Sequence, residues 1–260
     1  MTQLPIGKIV GVIPAHLASV RFPRKILFPL LGLPMIEHVR RRALMAKGID
    51  NIYVATCDDE IADVVRGFGG KVIITSRRHN NGTTRVAEAI AEIDCEYVLL
   101  LQGDEPLLLP RHLEAILQAM VLDPDSDAWN ATGTIETPEE LDRHSFVKCA
   151  ITSQSRILYC FRRSPAFATF ESQKKYIRKV LGLIAYRRNS LLSISNSNPS
   201  AIEESESIEQ MRLLEYGFRL RSITVHPSLP SVNEPHEAEI VLESTQLDAE
   251  QACILKKYTQ

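Results

Sequence analysis

Residues 97–101, Tyr-Val-Leu-Leu-Leu, form an unbroken apolar run that stops abruptly at Gln102-Gly103-Asp104-Glu105-Pro106. A run of this kind fits a strand buried on both faces, as in the middle of a parallel sheet. In open α/β sheets ligands bind beyond the carboxyl ends of such strands. Asp104 is therefore expected at a binding edge, with Gly103 letting the backbone come close to whatever binds there. Mg²⁺ prefers one or two carboxylates together with waters and phosphate oxygens, and Asp104 suits that role. An acidic turn after a strand is the plainer alternative.

The chain before this run repeats one rhythm. A β-branched strand is expected over 9–14, a helix over 33–47 with Pro34 in its first turn and Gly48 closing it, and strands over 51–56 and 71–74. Asp58-Asp59-Glu60 opens the intervening helix, where acids favour the positive end of the dipole. A further helix is expected over 86–93 and another over 110–120. Strand alternating with helix at short spacing predicts a parallel sheet with helices on both faces. Arg40, Arg41 and Arg42 are expected on a solvated helix face.

Two loops at strand ends carry chemistry. The first holds Arg21, Arg24 and Lys25 among small residues and can wrap a triphosphate with backbone N–H groups and cations, or be a solvated basic loop. It is no Walker loop, because the GxxxxGK spacing is absent. The second, residues 79–85, places Gly82 and Thr83 at a helix start. They can serve a base or ribose, or simply cap the helix together with Asn81.

After Pro124 the rhythm changes. Antiparallel strands are expected over 129–134, 147–151 and 156–159, further strands over 182–186 and 220–225, and helices over 203–216 and 237–247. With no repeats and no low-complexity linker, residues 1–260 read as one α/β domain whose segment 129–225 is an elaboration. The formal net charge of −2 gives no global argument for nucleic acid or an anionic membrane surface. Five scattered cysteines without a CxxC pair predict free thiols in a reducing cytoplasm. No signal peptide is read in residues 1–5, and no apolar run approaches the ~20 residues of a membrane span.

The ordered motifs PAxxASxRxPxK, HxxGTxR, QGDEP, VK, LGxxxYR, ExxExxEQxR and VNEP, running over nearly the whole chain, resemble the CMP-Kdo synthetases, the 3-deoxy-manno-octulosonate cytidylyltransferases. The resemblance implies a Rossmann-like nucleotide-binding mixed sheet with a smaller α+β part for acceptor binding and dimerisation. It also implies transfer of CMP from CTP to a small anionic acceptor, with Mg²⁺, in a cytoplasmic homodimer that engages neither nucleic acid nor membrane. Carried over residue by residue, it puts Arg21 and Lys25 on the triphosphate, with Arg24 near them. Gly82, Thr83, Arg85, Gln102 and the backbone at Ala15 fall to the cytidine, and Asp104 to the metal. Arg21, Lys25 and Asp104 are then the catalytic set. Arg162, Arg163, Tyr186, Glu203, Glu206 and Gln210 fall to the acceptor.

The sequence departs from the family pattern at informative places. VDTPED becomes Val232-Asn233-Glu234-Pro235-His236-Glu237, so the second metal ligand is Asn233, which brings an oxygen but no charge. His16 replaces an arginine and Arg24 a glycine; a neutral histidine is a poor fixed phosphate clamp. HLGIYGYR becomes 180–187 Val-Leu-Gly-Leu-Ile-Ala-Tyr-Arg, exchanging two hydrogen-bonding side chains for Val180 and Ile184. A site built to bond hydroxyls rejects analogues lacking them. The acceptor is thus Kdo or a close variant, or a phosphonate, and a catalytically silent nucleotide-binding homologue is the reading from another class.

Overall fold

A computed structural model describes residues 7–259. Residues 1–5, read above for a leader, lie outside the described residues. The described residues divide into two compact units, one of residues 7–114 and 229–259 and one of 115–228.

In the first unit β1 (Ile9–Ala15) is followed by the short pair β2 (Pro29–Leu30) and β3 (Leu33–Pro34), then α1 (Met35–Leu44), β4 (Asn51–Thr56), α2 (Asp59–Gly67) and β5 (Lys71–Ile74). Next come α3 (Gly82–Ala89), β6 (Tyr97–Leu101) and α4 (Pro110–Leu122), within which the division falls. The four long strands are parallel in the order β6, β1, β4, β5, with Ile9 beside Tyr97, Val10 beside Asn51 and Tyr53 beside Lys71. All five residues of β6 are buried, as its composition predicts for a central strand. The Rossmann-like expectation for this unit is met.

Two helix starts in this unit differ from expectation. The helix predicted from residue 33 begins at Met35, because Pro34 is extended (ψ 144°) and pairs in β3. The helix predicted from residue 86 begins at Gly82, because the Asn81 side chain accepts from Thr84 N at 2.9 Å and caps it there.

The second unit contains β7 (Ala128–Thr134), α5 (Pro138–Asp142), β8 (Lys148–Ile151), β9 (Ile157–Phe161), α6 (Phe170–Gln173) and β10 (Ile177–Arg187). It continues with α7 (Arg188–Ser195), α8 (Ala201–Glu206), α9 (Gln210–Glu215) and β11 (Leu220–Thr224). β10 is antiparallel to β7 and β8, and β8 to β9; β11 runs parallel to β7, which the expected antiparallel set did not include. The single helix expected over 203–216 is two, because Ser207 turns left-handed (φ 53°) and ends the first. Ile135, Leu141, Phe161 and Ile177 form a buried apolar cluster in this unit.

The first unit is completed by α10 (Glu237–Leu247) and α11 (Ala249–Thr259). Phe22, Leu30, Met35 and Leu107 pack with Val232, Ala238 and Val241, so the 229–259 segment shares a core with the first loop and the turn after β6. The expected solvated arginine face is not what forms on α1. Arg40 and Arg42 are 6% and 1% exposed, beside a fully buried Glu37. Glu37 takes both Arg40 and Arg41. Arg42 donates to Gln251 Oε1 at 2.6 Å, to Tyr258 Oη at 3.0 Å and to the Leu107 and Leu108 carbonyls. α11 covers this face, and its polar groups supply what water would have supplied. No helix among the described residues is long and apolar enough to cross a membrane.

Candidate functional site

The carboxyl ends of β1 and β6 and the start of α3 enclose a cleft of about 620 Å³. Ala15, His16, Arg21 and Lys25 line it from the first loop, Gly82 and Arg85 from α3, and Gln102, Gly103 and Asp104 from the tip of β6. The turn after β6 can sit this close because residue 103 is glycine: a Cβ there would lie 3.0 Å from Ile26 Cδ1 and 3.4 Å from Ile13 Cγ2.

At the centre Lys25 Nζ lies 2.5 Å from Asp104 Oδ2, both side chains mostly buried, and also donates to the Val232 carbonyl at 3.1 Å. Val232 N donates to the Asp104 carbonyl at 2.8 Å. Arg21 Nη2 donates to Asn233 Oδ1 at 3.2 Å, joining residues 212 apart in sequence. Asn233 N in turn donates to Glu237 Oε2 at 2.6 Å. The first loop, the β6 tip and the 232–237 segment are therefore knitted into one polar junction. Arg85 is 4% exposed and is aimed by Thr75, whose hydroxyl accepts from Nη1 at 2.7 Å.

His16 stands exposed at the cleft mouth, yet desolvation by the cleft walls first, and the nearby Arg85 second, lower its pKa below the usual histidine value. At neutral pH it is an uncharged imidazole, without the fixed charge an arginine would bring.

Not every residue nominated from sequence faces this cleft. Arg24, placed near the triphosphate by the resemblance, adopts a left-handed backbone (φ 61°) and its guanidinium pairs with Glu60 near the start of α2. Thr83 is buried in the first turn of α3, behind Gly82.

The acceptor-side candidates lie in the second unit. Arg162 was expected to grip an anion, but its guanidinium donates to the carbonyls of Glu206, Ser207 and His144. The left-handed turn at Ser207 ends α8 and leaves its last carbonyls without helical partners, and a guanidinium suits them well. Glu203 is 6% exposed, held by both Arg212 nitrogens at 2.5 and 2.6 Å and by the Ser200 capping box. These two side chains hold the fold. Arg163 is exposed, Glu206 half-buried and Tyr186 buried in β10. Gln210 is half-buried and donates to Asn130 Oδ1 at 3.0 Å.

Sequence reasoning passed over two cleft residues. Asp58 accepts from Leu17 N at 2.8 Å and so shapes the first loop; its place before a helix had pointed to the helix dipole before a metal. Arg77 adds an exposed cation to the lining, with no motif to mark it.

A family model described as cytidylyltransferase matches residues 10–223. The chain belongs to the cytidylyltransferase family. It is 37% identical over 230 residues to the 3-deoxy-manno-octulosonate cytidylyltransferase of Escherichia coli, covering 88% of this chain and 93% of that one. It is likewise 37% identical over 234 residues to the 8-amino-3,8-dideoxy-manno-octulosonate cytidylyltransferase of Shewanella frigidimarina, covering 88% and 95%. A solved structure of CMP:2-keto-3-deoxy-manno-octonic acid synthetase complexed with CTP superposes with a TM-score of 0.86 at 36% identity, covering 92% of this chain and 98% of that one.

Proposed function

We propose that this cytidylyltransferase moves CMP from CTP to a Kdo-type 3-deoxy-2-keto sugar acid, releasing pyrophosphate. The observation that carries the reading is the junction of Lys25, Asp104, Arg21 and Asn233 in a cleft also lined by Gly82, Arg85 and Gln102. Relatives sharing more than a third of their residues with this chain are named for that chemistry.

CTP is held with its triphosphate toward Arg21 and Lys25 and its cytidine toward Gly82, Arg85 and Gln102. The acceptor hydroxyl attacks the α-phosphorus in line and gives up its proton to solvent, the bond to the bridging oxygen of the β-phosphate breaks, and pyrophosphate leaves. Lys25 and Arg21 stabilise the charge that builds on it. No protein nucleophile is needed; the buried Cys149 and Cys160 thiols, raised in pKa by burial, are inert.

Mg²⁺ is the cofactor of this reading, and the donor set suits it. Asp104 supplies one carboxylate and Asn233 one amide oxygen. Among the described residues no cluster of three or more His, Cys, Asp or Glu offers a protein-built cage; Mg²⁺ takes most of its ligands from water and substrate phosphate. When bound, it supplies positive charge to the phosphate oxygens. A homodimer in the cytoplasm is the setting this reading carries, tested by sedimentation equilibrium and by fractionation.

The deciding experiment is pyrophosphate release from CTP and Mg²⁺ with Kdo, its 8-amino variant, other 2-keto acids and phosphonates. Turnover with a Kdo-type acid is expected. Turnover with a phosphonate alone would move the assignment to that acceptor, which the apolar Val180 and Ile184 favour over a polyhydroxylated one. CTP binding without turnover on any acceptor would make the chain a nucleotide-binding homologue.

A further inference from the structure

β10 does not pair regularly with β7. Val180 sits opposite Thr132 and Ile184 opposite Asn130, so Leu181, Gly182 and Leu183 together face the single residue Ala131. Such a bulge frees carbonyls from the ladder and re-aims the strand. The freed carbonyls are taken by one side chain. Asn130 is fully buried, and its Nδ2 donates to Leu181 O at 2.9 Å, Leu183 O at 3.2 Å and its own neighbour Ala131 O at 2.8 Å. Its Oδ1 accepts from Gln210 Nε2 at 3.0 Å. Both ends of this buried amide are used, and a carboxamide has the donors and acceptor this place needs.

We infer that Asn130 is a positioning residue for acceptor recognition: it fixes the 181–183 bulge of β10 and, through the same amide, the orientation of Gln210. The inference rests on the proposed transfer to a Kdo-type acid, for which β10 and Gln210 are acceptor-side elements. Asn130 acts through these two and has no part in holding CTP, whose cleft lies in the other unit.

The test is steady-state kinetics of the full chain with CTP, Mg²⁺ and Kdo as the probe acceptor. Asn130→Leu keeps the volume and removes both donors and acceptor. Its acceptor KM should rise by on the order of tenfold to a hundredfold, the scale of a displaced positioning group, while the KM for CTP stays within about twofold. Gln210→Leu should raise the same KM, and the double variant should cost less than the product of the singles, because the two act as a unit. If Asn130→Leu does not fold, as read by circular dichroism, Asn130→Thr replaces it: it suits a strand but cannot span the two carbonyls. An acceptor KM unchanged in the folded variant, equal rises in both KM values, or fully multiplicative effects would overturn the inference. A wild-type chain silent with every sugar acid would instead overturn the proposed function beneath it.

Discussion

Asp104→Asn keeps the shape of the β6 tip and removes one charge from it. The Lys25 and Asp104 side chains are 14% and 19% exposed and in contact at 2.5 Å. Two unit charges about 4 Å apart are worth ~1 kcal/mol in water and ~4 kcal/mol at an effective dielectric of about 20. Desolvation offsets much of this. Cutting one side of a fully buried pair costs about 3–5 kcal/mol, whereas exposed pairs are worth at most about 1 kcal/mol. For this partly buried pair, with Lys25 keeping the Val232 carbonyl, the loss should be about 1–2 kcal/mol. A Tm lower by roughly 2–8 °C in calorimetry follows from that loss in a chain of this size. Activity should fall much further, by at least about a hundredfold in kcat/KM, or ~2.7 kcal/mol of transition-state stabilisation, because the same carboxylate is assigned the metal. Lys25→Met should cost similar stability, and the double variant little more than either single. An Asp104→Asn enzyme that melts within this window and turns over within about threefold of wild type would refute the metal assignment. Additive stability losses would refute the pair.

Asn233→Asp restores a carboxylate beside Arg21; a charge near a dication is worth up to ~2 kcal/mol in water, so half-saturation with Mg²⁺ should fall, and an unchanged Mg²⁺ titration would dismiss Asn233 as a ligand. Arg42→Met takes the donor from Gln251 Oε1 and the Leu108 carbonyl, while Leu107 keeps Gln251 Nε2 and Tyr258 keeps His38, and should cost at least about 2 kcal/mol in urea unfolding; a neutral result would mean the network contributes nothing net. Lys148 is buried, its ammonium held by the Arg143 and Arg162 carbonyls, and burial lowers its pKa from 10.5 to about 8. Between those values the unfolded chain binds the extra proton, so this group makes the fold more stable as pH rises from about 8 toward 10.5. Lys148→Met should remove that slope relative to wild type, and parallel stability curves at pH 7.5 and 9.5 would contradict it.

The alternation of strand and helix in the first unit was legible because fully buried strands leave continuous apolar runs, and the cleft followed because ligand sites gather where such strands end. The fate of individual cations was not. Arg42 looks like Arg41 in sequence, and only Gln251 and Tyr258, more than 200 positions away, decide that it is buried. Arg162 and Glu203 carry the residue types an anion or sugar site would use, yet both are consumed by the broken helix around Ser207. That break is invisible beforehand, because serine gives no sign that it will turn left-handed. Asn130 was passed over for the opposite reason: one polar residue in a strand looks incidental until the bulge opposite it is seen.

The first unit is assembled from two separated stretches of chain, 7–114 and 229–259. During synthesis the Lys25–Asp104 tip emerges long before Val232, whose carbonyl and amide bind both halves of it, and before Gln251 and Tyr258, which satisfy Arg42. Residues 115–228, the other compact unit, are also made before them. Chains grow from the amino end, so the β6 tip is made before the segment that ties it down. A product truncated before residue 229 would thus lack the partners of Lys25, Asp104 and Arg42 that the last segment supplies, and limited proteolysis of ribosome-bound chains would cut first between residues 7 and 114.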